Sequence, residues 1–341
     1  MLDRYRYSEA KNYIFMTDFS MKRRDEFDSS RGELIKLNCL ICRDSSFNEI
    51  GQVDRYGFYY PTGICRHCGN VQQIEYYDND TLSDFYTNYY RDIYLNQAPQ
   101  DLFEEQYARG SSILSFVTPY IPKSAHILEI GTGAGGILKA FKDAGTYDVH
   151  GVDFDERYIE YGNSKGIEIT QGGIEKMGDG KKFDLVILSH VLEHIINPSD
   201  FLKDTRKLLK DGGKIYIEVP SLNHVSRGGY DFDLLLYYQN AHVIHFSVDS
   251  LCALIRQCGL NVLKMNDFIC CICEKDDARA TMEEEGRFSG LFSKQEDLLA
   301  SIERKRSSPF KKINKKIKKI TRKTKKFIKK FNLNNEKLPG R

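Results

Sequence analysis

Cys39-x-x-Cys42 and Cys65-x-x-Cys68 stand 22 residues apart in a chain of 341 residues. Two such knuckles supply four thiolates, the set that a tetrahedral zinc ion takes. All four ligands would be protein sulfur, so no coordination position is left for water or substrate. The expected ion is therefore structural Zn2+, adding folding energy to a segment too short for its own core. Adjacent spacing sets His67 aside as a substitute ligand. The alternative chemistry for paired Cys-x-x-Cys units is redox exchange. The other five cysteines (Cys252, Cys258, Cys270, Cys271 and Cys273) fall on apolar faces and are expected as core fillers.

A second constellation is the stretch LEIGTGAGG, which puts Gly131, Gly133 and Gly135 directly after an apolar run and before a helical one. Glycines there permit a tight turn and close approach of backbone to a ligand. Glu129 sits inside the strand end, where a carboxylate suits an ammonium and would repel a pyrophosphate. Asp153 ends the next strand, where two oxygens can accept both hydroxyls of a ribose. A ligand carrying ammonium, sulfonium and ribose fits this pair of acids better than a dinucleotide. The competing reading is a degenerate nucleotide-binding domain without catalysis.

A third group is histidine, the side chain that titrates nearest neutrality. Five of the eight, His190, His194, His224, His242 and His245, fall beyond the fourth strand, on the side where a second substrate would sit. A general base is expected among them, in the order His242, His194, His190, against the alternative of hydrogen-bonded structural histidines. Tyr230, Tyr237 and Tyr238 are candidates for stacking on a ring of that second substrate or for ordinary lid packing.

These residues need a scaffold that brings strand ends together. From 124 onward short apolar runs alternate with helical segments: AHILEIG, DVHGVDF, IEITQG, FDLVILS, KIYIEVP, NVLKM and FICCICE as strands, with helices between. One helix is expected over PSDFLKDTRKLLKDGG, stopped by its glycines. Such alternation predicts an α/β fold, a Rossmann-like doubly wound parallel sheet with its crevice at the strand carboxyl ends. The expected divisions are an N-terminal extension (1–37) that packs late or poorly, a zinc ribbon (38–80), a helical connector (81–122), the sheet domain (123–275), a helical linker (276–308) and a basic tail (309–341).

ILEIGTGAGGIL, VHGVDFDERYIEYG and FDLVILSHVLEHIINPSDFLKDTRKLLKDGGKIYIEVPS resemble, in order and spacing, the successive motifs of class I S-adenosylmethionine-dependent methyltransferases. The resemblance spans about 124–274 and implies S-adenosyl-L-methionine as cofactor. It implies Glu129, Gly131 and Gly133 at the methionine end and Asp153 at the ribose. Gly172, Gly173 and Ile174 would lie against the adenine, although many members carry an acid where this chain has Gly173. Ser189 and His190 would flank the sulfonium, and AHVIHFS resembles the family's stretch in which His242 faces the cleft. The cysteine segment, with DRYGF and FYTNYYRDIY, resembles the zinc-binding front end of methyltransferases from polysaccharide and deoxysugar pathways. The chain departs after Glu274, where the sugar C-methyltransferases continue into a further domain. That departure turns the expectation toward O-methylation of a sugar or glycan, lipid-linked acceptors included.

Charge bears on partners. From Arg304 onward there are 17 Lys/Arg and one acid, while 1–303 hold 33 basic and 47 acidic residues, a net of −14. An RNA methyltransferase, the main enzymatic alternative, would need a basic surface around its crevice, so nucleic acid is not the expected partner. A non-catalytic interaction protein is the third reading. Ser308 and Pro309 make a good helix start, and Phe310, Ile313, Ile317, Ile320, Phe327, Ile328 and Phe331 form one apolar stripe under a lysine shell. Such a helix over 309–331 is expected to lie on an anionic membrane surface. With no signal peptide and nine cysteines, the expected location is the cytoplasm, peripheral at the inner face of the membrane.

Overall fold

Aromatic packing decides how the first third of the chain folds. The computed structural model describes residues 5–7, 16–95, 97–178, 180–277 and 288–308. Helix α1 (Asp18–Ser30) starts at Thr17, whose hydroxyl accepts from the Ser20 N–H. Its Phe27 is fully buried against Phe58, Tyr77, Phe85 and Tyr89. The expected poor packing of 1–37 is therefore corrected for residues 16–30. One large ring anchors an otherwise polar helix.

Strands β1 (Ile35–Lys36), β2 (Phe47–Val53), β3 (Tyr59–Cys65), β4 (Val71–Gln73) and β5 (Glu75–Tyr76) follow. β2, β3 and β4 form an antiparallel sheet whose fourth strand is Ile244–His245, paired with Val71–Gln72. The cysteine module is thus not closed on itself. Asp54, in the turn between β2 and β3, strengthens the link. Its buried carboxylate accepts from the backbone N–H groups of Tyr56 (2.8 Å), Phe58 (2.9 Å) and Asn240 (2.8 Å). Asp54→Ala would orphan three buried donors at about 1–3 kcal/mol each. A drop in melting temperature of more than about 5 °C is the expected result, and an unchanged melt would contradict it.

The connector holds α2 (Asn79–Asp84), two π turns at Phe85–Tyr89 and Arg91–Leu95, and α3 (Pro99–Val117). Then come β6 (His126–Ile130), α4 (Gly136–Ala144), β7 (Asp148–Asp153), α5 (Glu156–Ser164), β8 (Glu168–Gln171), β9 (Phe183–Ser189), α6 (Pro198–Lys207) and β10 (Leu209–Glu218). After these run α7 (Leu222–Ser226), α8 (Leu234–Tyr237), β11 (Ile244–His245), α9 (Val248–Gln257), β12 (Leu260–Met265), β13 (Cys270–Lys275) and α10 (Leu291–Ser307). The large sheet has the order β12-β13-β10-β9-β6-β7-β8. Its central strands are nearly continuous apolar runs, with Ile127, Leu128, Leu185, Val186, Ile187, Leu188, Ile215 and Ile217 fully buried, because helices cover both faces. The chain steps outward from β6 to β7 and β8 on one side, then to β9 and β10 on the other. This reversal opens a crevice at the carboxyl ends.

Two expectations need correcting. β13 runs antiparallel to both β10 and β12, so the sheet is mixed rather than wholly parallel. Helix α6 ends at Lys207, before Gly212 and Gly213, because Leu209 already pairs with Phe183 in the sheet. The glycines instead fall in the irregular stretch of β10 between Leu209 and Lys214. Helix α10 is part of the body, burying Leu299 and Ile302 with Tyr5, Leu222 and Val225. The basic helix predicted over 309–331 lies outside the described residues.

Candidate functional site

The turn after β6 is shaped by its glycines. Gly131, Gly133 and Gly135 all have positive φ, at 71°, 55° and 79°, a region costly for other residues. The N–H groups of Gly131 and Thr132 both donate to the Val152 carbonyl, folding the turn onto β7. Gln106, from α3, donates to the Thr132 carbonyl and accepts from Gly136 N–H. Glu129 is 1% exposed, and its carboxyl accepts from the Thr132 hydroxyl at 2.7 Å. Burial pushes its pKa up to about 8, with the Thr132 hydrogen bond opposing.

Asp153 closes β7. It accepts from Gly133 N–H (2.8 Å) and Asp155 N–H (2.9 Å). Arg91, from the second π turn, lies 3.5 Å from Asp153 and 3.1 Å from Asp155, with its guanidinium 4.3 Å above the Tyr158 ring. Nothing in the spacing of the motifs pointed to Arg91. Phe154, between the two acids, is 74% exposed despite its size. It borders Gly173, where an added Cβ would stand 3.4 Å from its ring, and Ile174 follows, half-buried against the core. Glu175 turns back to accept from Gly173 N–H at 2.8 Å. A carboxylate therefore stands at Gly173 after all, reached from two residues downstream.

Across the crevice, Ser189 at the end of β9 donates to Glu218 at 3.1 Å. His190 follows with φ 57°, a left-handed backbone for a non-glycine residue, held by its N–H bond to the Glu218 carbonyl. Backbone of this kind gathers at functional sites. The next turn, Leu192–His194, buries Glu193 and sets the His194 ring 4.9 Å from the His242 ring, at right angles. His190 Nδ1 is 3.3 Å from Glu193. The three candidate bases thus gather around one carboxylate. Burial lowers the pKa of His194, and that of His242 well below the usual value, so both rings are held in the neutral form.

The His242 segment is held mostly by the N-terminal module. The Tyr60 hydroxyl donates to the His242 carbonyl at 2.7 Å, Gln73 donates to the Asn240 carbonyl at 2.8 Å, and Val243 N–H donates to the Glu193 carbonyl at 2.8 Å. Tyr86 and Tyr90, from the connector, pack on His194. Tyr237 and Tyr238 are buried packing residues, and Tyr230 alone of the three tyrosine candidates is partly exposed. His245 is buried against the Tyr60 hydroxyl, and His224 packs on Phe268, so neither joins the cluster.

The four cysteines of the two knuckles converge. Their sulfurs all lie within 4.8 Å of one another, with Cys39–Cys68 at 3.4 Å and Cys42–Cys65 at 3.5 Å. Thiolates around a tetrahedral zinc stand about 3.8 Å apart, given a Zn–S bond of about 2.3 Å. The quartet fits such an ion with little adjustment. His67 instead faces the Phe288 ring. Cys258, Cys271 and Cys273 are buried core residues, as expected.

Residues 102–265 match the family model described as a methyltransferase domain. Among curated proteins, the ubiquinone biosynthesis O-methyltransferase of Roseobacter denitrificans is 32% identical over 126 residues, 35% of this chain and 50% of that protein. The enzyme of the same name from Coxiella burnetii is 29% identical over 108 residues, 30% of this chain and 46% of that protein. The chain spans about half the length of the curated relatives it matches. Among solved structures, the plantazolicin methyltransferase BpumL in complex with SAH aligns with 63% of this chain and 88% of its own, at 16% identity and a TM-score of 0.44. Streptomyces venezuelae DesVI aligns with 52% and 96%, at 14% identity and a TM-score of 0.41.

Proposed function

Since residues 102–265 match the methyltransferase-domain family model, we propose that the chain transfers a methyl group from S-adenosylmethionine to a hydroxyl of a sugar or glycan. The observation that carries this reading is that the paired strands β7, β6 and β9 bring two differently equipped groups to the same edge of the sheet. One group offers the glycine turn, Glu129 and Asp153, and the other gathers His190, His194 and His242. The cofactor supplies a methyl group on a sulfonium, an already good leaving group. The chain's own part is to bind, orient and take up a proton.

Glu129 suits the ammonium, and Asp153, steadied by Arg91, suits the ribose hydroxyls. The exposed Phe154 ring and Ile174 offer apolar walls for the adenine, with Glu175 beside its amino group. Ser189 and His190 stand at the sulfonium. His242 is the preferred proton acceptor, ahead of His194 and His190, since it belongs to the loop that the N-terminal module positions. The cysteine quartet holds structural Zn2+. The sugar reading is supported by the −14 charge of 1–303, which disfavours RNA. It is also supported by the tyrosines around His194, which offer aromatic surface to a ring.

Labelled methyl donor incubated with fractionated host extract tests the acceptor class. Label is expected in nucleotide sugar or glycolipid, and label confined to RNA would overturn the reading. Methyl on carbon rather than oxygen would favour the C-methyltransferase alternative. No described helix is long and apolar enough to cross a membrane. The stripe over 309–331 is proposed to hold the enzyme on an anionic membrane surface near lipid-linked acceptors, on the cytoplasmic side. Binding to anionic liposomes should weaken when Ile317 and Ile320 become Ser.

The raised Glu129 pKa gives a pH dependence with a definite sign. Below about 8 the free protein holds Glu129 protonated, whereas pairing with an ammonium needs the carboxylate. Cofactor affinity is therefore expected to rise with pH, by up to about tenfold per unit, and to level off above about 8. Calorimetry in buffers of different ionisation enthalpy should record proton release near pH 7. A flat profile from pH 6 to 8, or a slope retained in Glu129→Gln, would contradict the assignment.

A further inference from the structure

Glu193, His194 and His242 each bring one potential ligand atom into a group whose members all lie within 4.8 Å of one another. Two are neighbours on the turn Leu192–His194, and the third comes from the segment just before β11. Glu193 is 1% exposed, and neither carboxylate oxygen accepts a hydrogen bond from a described residue. The His190 Nδ1 approaches one of them to 3.3 Å without hydrogen-bond geometry. A carboxylate taken out of water without donors costs on the order of several kcal/mol. Such a group calls for a cation.

We infer that Glu193, His194 and His242 bind a divalent first-row transition-metal cation, separate from the ion of the cysteine quartet. Two imidazoles and one carboxylate are the donor set of catalytic zinc and of other first-row sites that keep positions open. Ligands about 2.1 Å from one ion stand about 3.0–3.4 Å apart. The observed group needs only a modest closing of side chains to reach that. The surroundings are those of a prepared site. The Tyr86 hydroxyl is 3.1 Å from the His194 Nδ1, a partner of the kind that orients a ligating ring. The Val243 N–H to Glu193 carbonyl bond ties the two ligand-bearing segments together.

The consequence for catalysis rests on the function proposed above. An acceptor hydroxyl whose oxygen reaches the cation loses its proton more readily. With His194 and His242 engaged as ligands, His190, the third candidate base, replaces His242 as proton acceptor in the metal-bound protein; its side chain is 40% exposed. The oxygen forms its bond to the methyl carbon as the carbon–sulfur bond breaks, and the electron pair stays on sulfur.

The test counts metal. Full-length protein incubated with Zn2+ and desalted is expected to carry two zinc ions per chain. Glu193→Gln and His242→Asn should each carry one, with far-UV circular dichroism unchanged. Co2+ titration of protein given a single equivalent of zinc, which fills the cysteine quartet, should show a nitrogen- and oxygen-ligated site whose affinity falls at least ~100-fold in His242→Asn. One zinc in the wild type, or two in both variants, would overturn the site. If Glu193→Gln fails to fold, His242→Asn decides. No acceptor is needed for this count, so its failure is distinguishable from failure of the sugar reading. One zinc with label still entering sugar ends the metal proposal alone, and two zincs with label confined to RNA end the acceptor proposal alone.

Discussion

Cys65→Ser is expected to unfold the N-terminal module outright. Cys39, Cys65 and Cys68 are at most 2% exposed and share one core cluster with Phe246, Leu251 and Leu254 of the sheet domain. A structural zinc of this kind is worth about 10–16 kcal/mol of apparent binding energy. Whole domains are stable by only about 5–15 kcal/mol. Losing one thiolate therefore removes a large part of what holds β2, β3 and β4 together. Damage should not stop there, because β11 pairs with β4, and Tyr60, Gln73 and Asp54 all hold the loop that carries His242. The expected result is a broadened thermal transition, loss of bound zinc and loss of methyl transfer together. Cys271→Ala, which removes an equally buried sulfur outside the quartet, should cost only about 1–2 kcal/mol and leave the zinc in place. Equal effects of the two substitutions would contradict a metal at the knuckles.

His242→Asn should lower kcat by about 10²–10⁴-fold, the usual contribution of a positioned base. The affinity for S-adenosylmethionine should stay within about twofold, since Glu129, Asp153 and the glycine turn are untouched. Asparagine keeps a polar group where the ring was, so folding is expected to survive. His245→Asn makes the contrast. That ring is buried against Tyr60 and stands outside the Glu193 group, so its loss should act through stability. Unchanged turnover in His242→Asn would remove His242 from catalysis, while the zinc count alone decides whether it is a ligand.

Local patterns made much of this legible. Glycines need positive φ in the turn after β6, and buried parallel strands need unbroken apolar runs, so Glu129, Asp153 and the order of elements could be read along the chain. The cysteine spacing likewise stated its own geometry. Non-local pairings could not be read this way. Ile244–His245 is too short to carry a strand signature, yet it completes the N-terminal sheet through backbone hydrogen bonds that any residue could make. Arg91 looked like one more charge in a helical connector, and only the fold sets it beside Asp153 and Asp155. The reversed direction of β13 follows from the tight turn after β12, where Asn266 N–H and Cys270 carbonyl bond at 3.1 Å. Gly212 and Gly213 read as a helix stop because a glycine after a lysine-rich turn usually is one. Here strand pairing began three residues earlier.

In the proposed reaction the glycine turn and the histidine group together move a methyl group onto a sugar oxygen. Mass spectrometry of the product made with isotopically labelled S-adenosylmethionine and a glycan-precursor fraction tests this most directly. One labelled methyl group on a sugar oxygen is expected for each S-adenosylhomocysteine released. Label on carbon or in RNA, or no S-adenosylhomocysteine with any acceptor fraction, would contradict it.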